Sequence, residues 1–368
     1  MKIKRFLKWS AAVIFAGLVF VTFIAYWTST NDCNRDAATP SNPMKAIVNC
    51  EYGVGNLQLR ELEKPSPNDN EVLVRVRAAS INPVDGHLIR GAWLMRPTTG
   101  LRKPNNTRFG TDFAGVVEAV GKDVTNFKPG DEVFGAKNGA VAEYICVKAD
   151  RGVVLKPSNV TFEQAGSMGV AGVTALQGLR DKGHIQAGQR VLVNGASGGV
   201  GTFAVQIGKA FGAEVTGVCS TRNADLVTSI GADRVIDYTK EDFTTRFERY
   251  DLIFDLVGNH SFSERRNVLT PHGICVLGGI GGAGIHPGFW GRIAGNFGAA
   301  FLSTFTGQKF VTYIAKLTKN DLTILRDLMQ DGKVKPVIDR TYKLSQTADA
   351  LRYLEEGHAR GKVVITME

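Results

Sequence analysis

The stretch Arg190–Ser220 reads RVLVNGASGGVGTFAVQIGKAFGAEVTGVCS. Val191–Val193 is a short apolar run of the kind that forms a buried strand, and Asn194–Gly201 then breaks the pattern with four glycines. A helical stretch follows to about Phe211, and a second β-branched run covers Glu214–Cys219. Strand, tight turn, helix and strand at this spacing form the unit that binds a dinucleotide. Within it Ala196, Ser197, Gly198, Gly199, Val200 and Gly201 make an A-x-G-x-x-G turn. Small residues are needed there because the chain turns sharply and its backbone must approach a pyrophosphate. The helix then begins with free N–H groups facing that anion.

The end of the second strand selects the nucleotide. Asp or Glu at that point would accept from ribose hydroxyls, but the chain reads Cys219-Ser220-Thr221-Arg222-Asn223, with no acid before Asp225. Ser220 can donate to a 2′-phosphate and Arg222 can pair with it in a fork geometry. The expected cofactor is therefore NADPH. Gly278-Gly279 ends a further apolar run, at a sheet edge where the nicotinamide should pass.

Outward from this unit, composition sets limits. The 368 residues suffice for two domains, and 43% hydrophobic content is ordinary for a globular chain. The net charge of +9 is partly local to the N-terminus, and no basic stripe with interleaved aromatics appears, so no nucleic-acid partner is expected. The five cysteines are scattered without a CxxC pair, which argues against both a structural zinc site and a disulfide framework. At the N-terminus, MKIKRFLK is basic and the 20 residues Trp9–Thr28 carry no charge. That length matches a single membrane-spanning helix, with Trp9, Tyr26 and Trp27 at its interfaces. A cleaved signal peptide would have a shorter apolar region. The expectation is thus a single-pass membrane anchor on either side of the bilayer, with residues 1–43 as anchor and linker.

From Met44 short β-rich runs alternate with turns, among them Glu71–Val76, Phe113–Ala119 and Ala140–Cys146. After about Thr161 strands and helices alternate through Arg234–Ile236, Leu252–Leu256 and Gly273–Leu277, the pattern of a doubly wound parallel sheet. Two amphipathic helices, Asp321–Met329 and Gln346–Glu356, precede a final strand, Lys362–Thr366. The reading is α/β: a β domain over residues 44–160 completed by 312–368, and a nucleotide-binding domain over 161–311. The residues Phe289, Ile293, Phe297, Phe301 and Phe305 recur every four positions. They form a stripe for packing between domains, for a dimer interface, for lining a greasy channel, or for resting on a membrane.

The motifs Asn82-Pro-Val-Asp85, Gly110-Thr-Asp-Phe-Ala-Gly115, Val173-Thr174-Ala175, Ala196–Gly201 and Asp237-Tyr238, in this order, resemble the medium-chain dehydrogenase/reductase superfamily. They look most like its zinc-independent quinone oxidoreductase and enone reductase branch. The resemblance implies a GroES-like first domain, a Rossmann second domain and a possible homodimer. It places Asn82, Thr111 and Val170 in the slots where zinc-dependent relatives carry metal ligands, so no metal is expected. It also puts Asn82 and Asp85 beside the nicotinamide, although both are equally good turn caps. His87 stands where related reductases often have Tyr, as a proton donor or an exposed histidine. Thr174 falls beside the nicotinamide and Tyr238 near the 2′-phosphate, and Lys362 could approach phosphate or simply be solvated.

Without a metal the protein must set a hydride donor against an electrophile that needs little activation, such as a quinone or an alkene conjugated to a carbonyl. The expected partner is a hydrophobic electrophilic small molecule, and the expected activity is NADPH-dependent reduction of it. Two other readings stay open: a zinc-free alcohol or carbonyl dehydrogenase, and a membrane scaffold that binds NADPH as a regulatory ligand.

Overall fold

The computed structural model describes residues 31, 33, 39–92, 96–278 and 307–367. Two sheets carry the fold. The first begins with β3 (Glu71–Ile81), β4 (Asp112–Val120), β5 (Glu132–Ala136), β6 (Tyr144–Lys148) and β7 (Val153–Leu155), paired antiparallel, with a separate hairpin of β1 (Pro43–Asn49) and β2 (Leu57–Glu63) at its side. Val72, Val74 and Val76 share one face of β3 and pack in a core that includes Phe113 and Val117, while most of the strand is buried on both faces. The β-run expected at Ala140–Cys146 begins later, at Tyr144. Its first residues follow Gly139, held at φ +95°, and meet the hairpin through the isolated Ala46–Ala142 bridge and the Lys45 N–H donated to the Glu143 carboxylate.

The second sheet is wholly parallel. Its strands are β8 (Arg190–Asn194), β9 (Glu214–Cys219), β10 (Arg234–Asp237), β11 (Tyr250–Asp255), β12 (Leu269–Gly278) and β13 (Lys309–Tyr313), in the order β10-β9-β8-β11-β12-β13. Val191, Leu192, Val193, Leu252, Ile253 and Phe254 are all buried, as strands covered on both faces require. The order reverses between β8 and β11, which opens a crevice at their carboxyl ends.

The tail returns to the first sheet. β14 (Ile338–Lys343) and β15 (Lys362–Thr366) are parallel partners, and β15 pairs antiparallel with the end of β3. Just before β15, Gly361 bridges to Gly198 of the nucleotide turn. One hydrogen-bonded step thus joins the two sheets at the crevice.

Two expectations are corrected. The first is the N-terminal transmembrane helix, together with the membrane localisation and membrane partnership built on it. Among the described residues no helix is long and apolar enough to cross a membrane, and Trp9–Thr28 lies outside them. An apolar run of spanning length permits a membrane helix without requiring one. The second concerns the cysteines. Cys33 and Cys50 form a disulfide with Cα atoms 5.7 Å apart, and Cys146, Cys219 and Cys275 are free and buried. Scattered spacing missed this because the pair joins a segment before β1 to the end of β1, a contact no local motif encodes. The Phe289–Phe305 stripe and Gly279 also lie outside the described residues.

Candidate active site

The helix Gly199–Ala210 starts directly from the turn, with Gly198 as its N-cap and without a side-chain cap. Its first N–H groups therefore remain available to an anion at the mouth of the crevice. Gly201 is fixed by close packing: a Cβ there would stand 2.0 Å from the Gly195 carbonyl oxygen. At Gly198, by contrast, a Cβ would meet only that same oxygen, at 3.5 Å, so the turn keeps an open cradle on that side. A pyrophosphate fits this arrangement of small residues and free donors.

At the end of β9, Asn223 connects two of the expected cofactor residues. Its amide nitrogen donates to Ser197 Oγ at 3.0 Å and to Ser220 Oγ at 3.2 Å. Asn223 is buried, and its Oδ1 has no partner among the described residues. Such an orphan acceptor is costly unless a ligand or water satisfies it. Arg222 is exposed and donates from Nη2 to the His358 carbonyl at 3.1 Å. Tyr238 is 62% exposed, with its backbone N–H on the Cys219 carbonyl. Asp237, the acid nearest this edge, accepts from Thr221 and Thr239. The Thr221 hydroxyl, followed by Thr239 and Lys240, holds its carboxyl well below the usual range. Ser220, Arg222 and Tyr238 therefore sit at adjoining strand ends, with the arginine's charge facing no carboxylate among the described residues.

Across the crevice a second set of residues is buried. The helix Pro83–Arg90 is capped by Asn82, whose N–H donates to Asp85 Oδ2 at 2.7 Å. The Asn82 side chain does something else. Its Nδ2 donates to Asp112 Oδ2 at 2.9 Å, and its Oδ1 accepts from Lys362 Nζ at 2.6 Å. Lys362 Nζ also lies 3.4 Å from Asp112 Oδ2. Asp112 further accepts from Ser80 Oγ at 2.9 Å and from the Val170 N–H at 2.7 Å. The Val170 contact comes from the first turn of the helix Gly169–Gln177, where the helix dipole favours a carboxylate. It also explains Gly169, since a Cβ there would stand 2.4 Å from Asp112 Oδ1. Burial, with the neighbouring Asp112 charge, pushes the Asp85 carboxyl up to about 7 against the pull of the Asn82 and Gly110 N–H groups and of Lys362.

The remaining sequence-derived residues are placed as follows. Thr174 spends its hydroxyl on the Val170 carbonyl, at 2.7 Å, and its own carbonyl accepts from Tyr313. Gly278 closes β12 at the carboxyl edge of the parallel sheet. His87 is half-buried in the last turn of its helix, and no described hydrogen bond joins its ring to Asn82, Asp85 or Lys362. The sequence reading missed Asp112 as the hub of the cluster, Ser80 beside it, and Asn223. The motif Gly110–Gly115 contained Asp112, but nothing local shows that three distant donors meet on it.

A catalytic zinc needs three ligands drawn from thiolate, imidazole or carboxylate. The slots that the family resemblance assigns to metal ligands hold Asn82, Thr111 and Val170, none of them a thiolate, imidazole or carboxylate. Asp112 is saturated by four donors, and among the described residues no group of three or more Cys, His, Asp or Glu could hold a metal ion. The donor set does not fit a metal.

Two family models match the chain: an alcohol dehydrogenase GroES-like domain over residues 68–158 and a zinc-binding dehydrogenase over residues 230–365. The chain is 36% identical over 346 residues to the chloroplastic NADPH-dependent alkenal/one oxidoreductase of Arabidopsis thaliana, covering 90% of this chain and 81% of that protein. It is 31% identical over 343 residues to the quinone oxidoreductase of Homo sapiens, covering 90% of this chain and all (100%) of the relative. The solved quinone oxidoreductase of Coxiella burnetii superposes with a TM-score of 0.75 at 29% identity, over 89% of this chain and 100% of that one.

Proposed function

The chain belongs to the medium-chain dehydrogenase/reductase superfamily, in its quinone oxidoreductase-like branch, and from that premise we propose that this NAD(P)H oxidoreductase takes NADPH and reduces quinones or alkenes conjugated to a carbonyl, without a metal. The observation that carries this reading is the pairing, across one crevice, of an open phosphate turn with a polar cluster whose carboxylate is already saturated. The Arabidopsis and human relatives are named for alkenal/one and quinone substrates, and both classes fit such a site.

Each residue has a definable task. The N–H groups at the start of the Gly199–Ala210 helix receive the pyrophosphate. Ser220, Arg222 and the exposed Tyr238 ring surround the 2′-phosphate position, and Asn223 holds Ser197 and Ser220 in register. Bound there, the cofactor supplies a hydride to an electrophile whose conjugated carbonyl absorbs the resulting charge. Asn82 and Lys362 are buried and engaged with one another and with Asp112, so neither is assigned as the proton donor to the product.

The test is stopped-flow oxidation of NADPH by the full chain against a quinone, an enone and an aldehyde, with NADH and a chelator in parallel. Chelator-resistant oxidation with the quinone or enone is the expected result. Turnover of the aldehyde alone, or its loss on chelation, would replace this reading with a carbonyl dehydrogenase.

A further inference from the structure

The cluster around Asp112 has a feature that the reduction of a quinone or enone does not by itself require. Asp112 and Lys362 are both withdrawn from solvent, with side chains 0% and 3% exposed. A lysine placed to bind a cofactor phosphate would present its ammonium to the crevice. Lys362 instead turns inward, onto Asn82 Oδ1 and Asp112 Oδ2. Its stem lies against the nucleotide turn, so that a Cβ on Gly199 would stand 3.2 Å from Lys362 Cδ.

We infer that Lys362 is a positioning residue whose ammonium is the resident cation of this site, seated between Asn82 and Asp112 where metal-dependent relatives of the fold would keep an ion. An ammonium offers only donors and a carboxylate only acceptors, so the two fix the Asn82 amide in a single orientation, Oδ1 toward Lys362 and Nδ2 toward Asp112. Each end of that amide is then engaged by one buried partner. The charge balance follows as well, because a buried carboxylate without its partner is strongly unfavourable. Lys362 opens β15, a strand of the first sheet, in the domain that also carries Asp112 and Asn82, directly after the Gly361–Gly198 bridge. The cation therefore fixes the wall formed by Asn82 and Asp112 within the first domain, at the point where the Lys362 stem and the Gly361–Gly198 bridge meet the phosphate turn of the other domain, and it does so without touching the cofactor's phosphates. The inference rests on the reductase reading only for its kinetic arm.

The experiment is a double-mutant cycle on the full chain with K362M, D112N and K362M/D112N, plus K362Q as the milder replacement. Thermal unfolding, binding of 2′,5′-ADP and single-turnover hydride transfer are read for each. K362M should lower the melting temperature and slow hydride transfer by about tenfold or more, as misplaced reacting groups do, while 2′,5′-ADP and NADPH bind within roughly twofold of wild type. Removing both charges in K362M/D112N should recover a large part of both losses, and K362Q should fall between K362M and wild type. If K362M does not fold, recovery of folding in K362M/D112N and K362Q supports the same assignment. The inference is overturned if K362M weakens NADPH binding in a salt-dependent way with an unchanged hydride step and the double variant is no better, since Lys362 is then a phosphate ligand. It is also overturned if the purified protein holds stoichiometric zinc whose removal destabilises it. If wild type oxidises NADPH with neither quinone nor enone, the functional reading fails, and the unfolding cycle still decides the role of Lys362.

Discussion

Arg222 donates its Nη2 hydrogen to the backbone carbonyl of His358 at 3.1 Å, so the guanidinium is held in place by a neutral acceptor. Its charge stays available at the end of β9, where Ser220 and Tyr238 also stand. The rest of the fork can then pair with a 2′-phosphate at little further ordering cost. Arg222→Ala should reduce kcat/KM for NADPH by about 10- to 100-fold, the range of one charged hydrogen-bonded contact. Values for NADH should change by no more than about threefold. Parallel steady-state kinetics with the two cofactors measure this, and an equal loss with both would place Arg222 outside the phosphate pocket.

Asn223 acts one layer below. It spans Ser197 of the turn and Ser220 of the strand end, and its Oδ1 waits for a donor. Asn223→Ala leaves both hydroxyls without that tie. It should raise KM for NADPH by about 5- to 30-fold while kcat holds, the signature of lost binding common to ground and transition states. Asn223→Asp should be worse than Ala for NADPH, because it sets a carboxylate beside the 2′-phosphate. A fall in kcat at unchanged KM would contradict the assignment.

The range of each interaction decides how much of this was legible in the sequence. Ala196–Gly201 declared itself because its turn, helix start and flanking strands are all local, and the parallel sheet followed from alternating runs. Asn82 and Asp85 were legible as a capping pair for the same reason. The role of Lys362 was not, since its partners Asn82 and Asp112 lie 280 and 250 residues away. A solvated strand start and a buried counter-ion have the same local sequence. Asn223 was visible only as a neighbour of Arg222, because its service to Ser197 depends on β8 and β9 lying side by side.

Asp85 gives a pH dependence of defined sign. Its carboxyl titrates at about 7 in the folded protein, raised by burial from 3.8. The native state thus binds the proton more tightly than the unfolded chain. The stabilisation is complete below about pH 4 and is lost as pH rises toward and through about 7. Between those limits Asp85 makes a negative contribution to the slope of stability against pH. Asp85→Asn keeps an uncharged cap acceptor and should remove that contribution, so the difference in unfolding free energy between variant and wild type changes steadily from about pH 4 to 7 and levels off above it. Urea unfolding at several pH values measures the difference, and a pH-independent gap would show that Asp85 stays ionised throughout.

The Cys33–Cys50 disulfide predicts a thiol count and a stability change. Asn31 Nδ2 donates to the Cys50 carbonyl at 2.7 Å, and Arg60 Nη1 donates to the Cys33 carbonyl at 3.3 Å. Cys33 itself joins Met44, Ala46, Val48 and Leu62 in a small buried cluster. The bond therefore closes onto a surface that already receives the segment. Thiol titration of unreduced protein in denaturant should find only Cys146, Cys219 and Cys275 reactive. Closing a loop with a sequence separation of 17 is worth about 3 kcal/mol through the entropy of the unfolded chain. A reductant, or Cys33→Ser, should lower the melting temperature by roughly 5–10 °C. Since the disulfide makes none of the bonds of the Asp112 cluster or the phosphate turn, kcat should stay within about twofold at 25 °C. Five reactive thiols in the unreduced protein would mean that the two cysteines do not pair in solution.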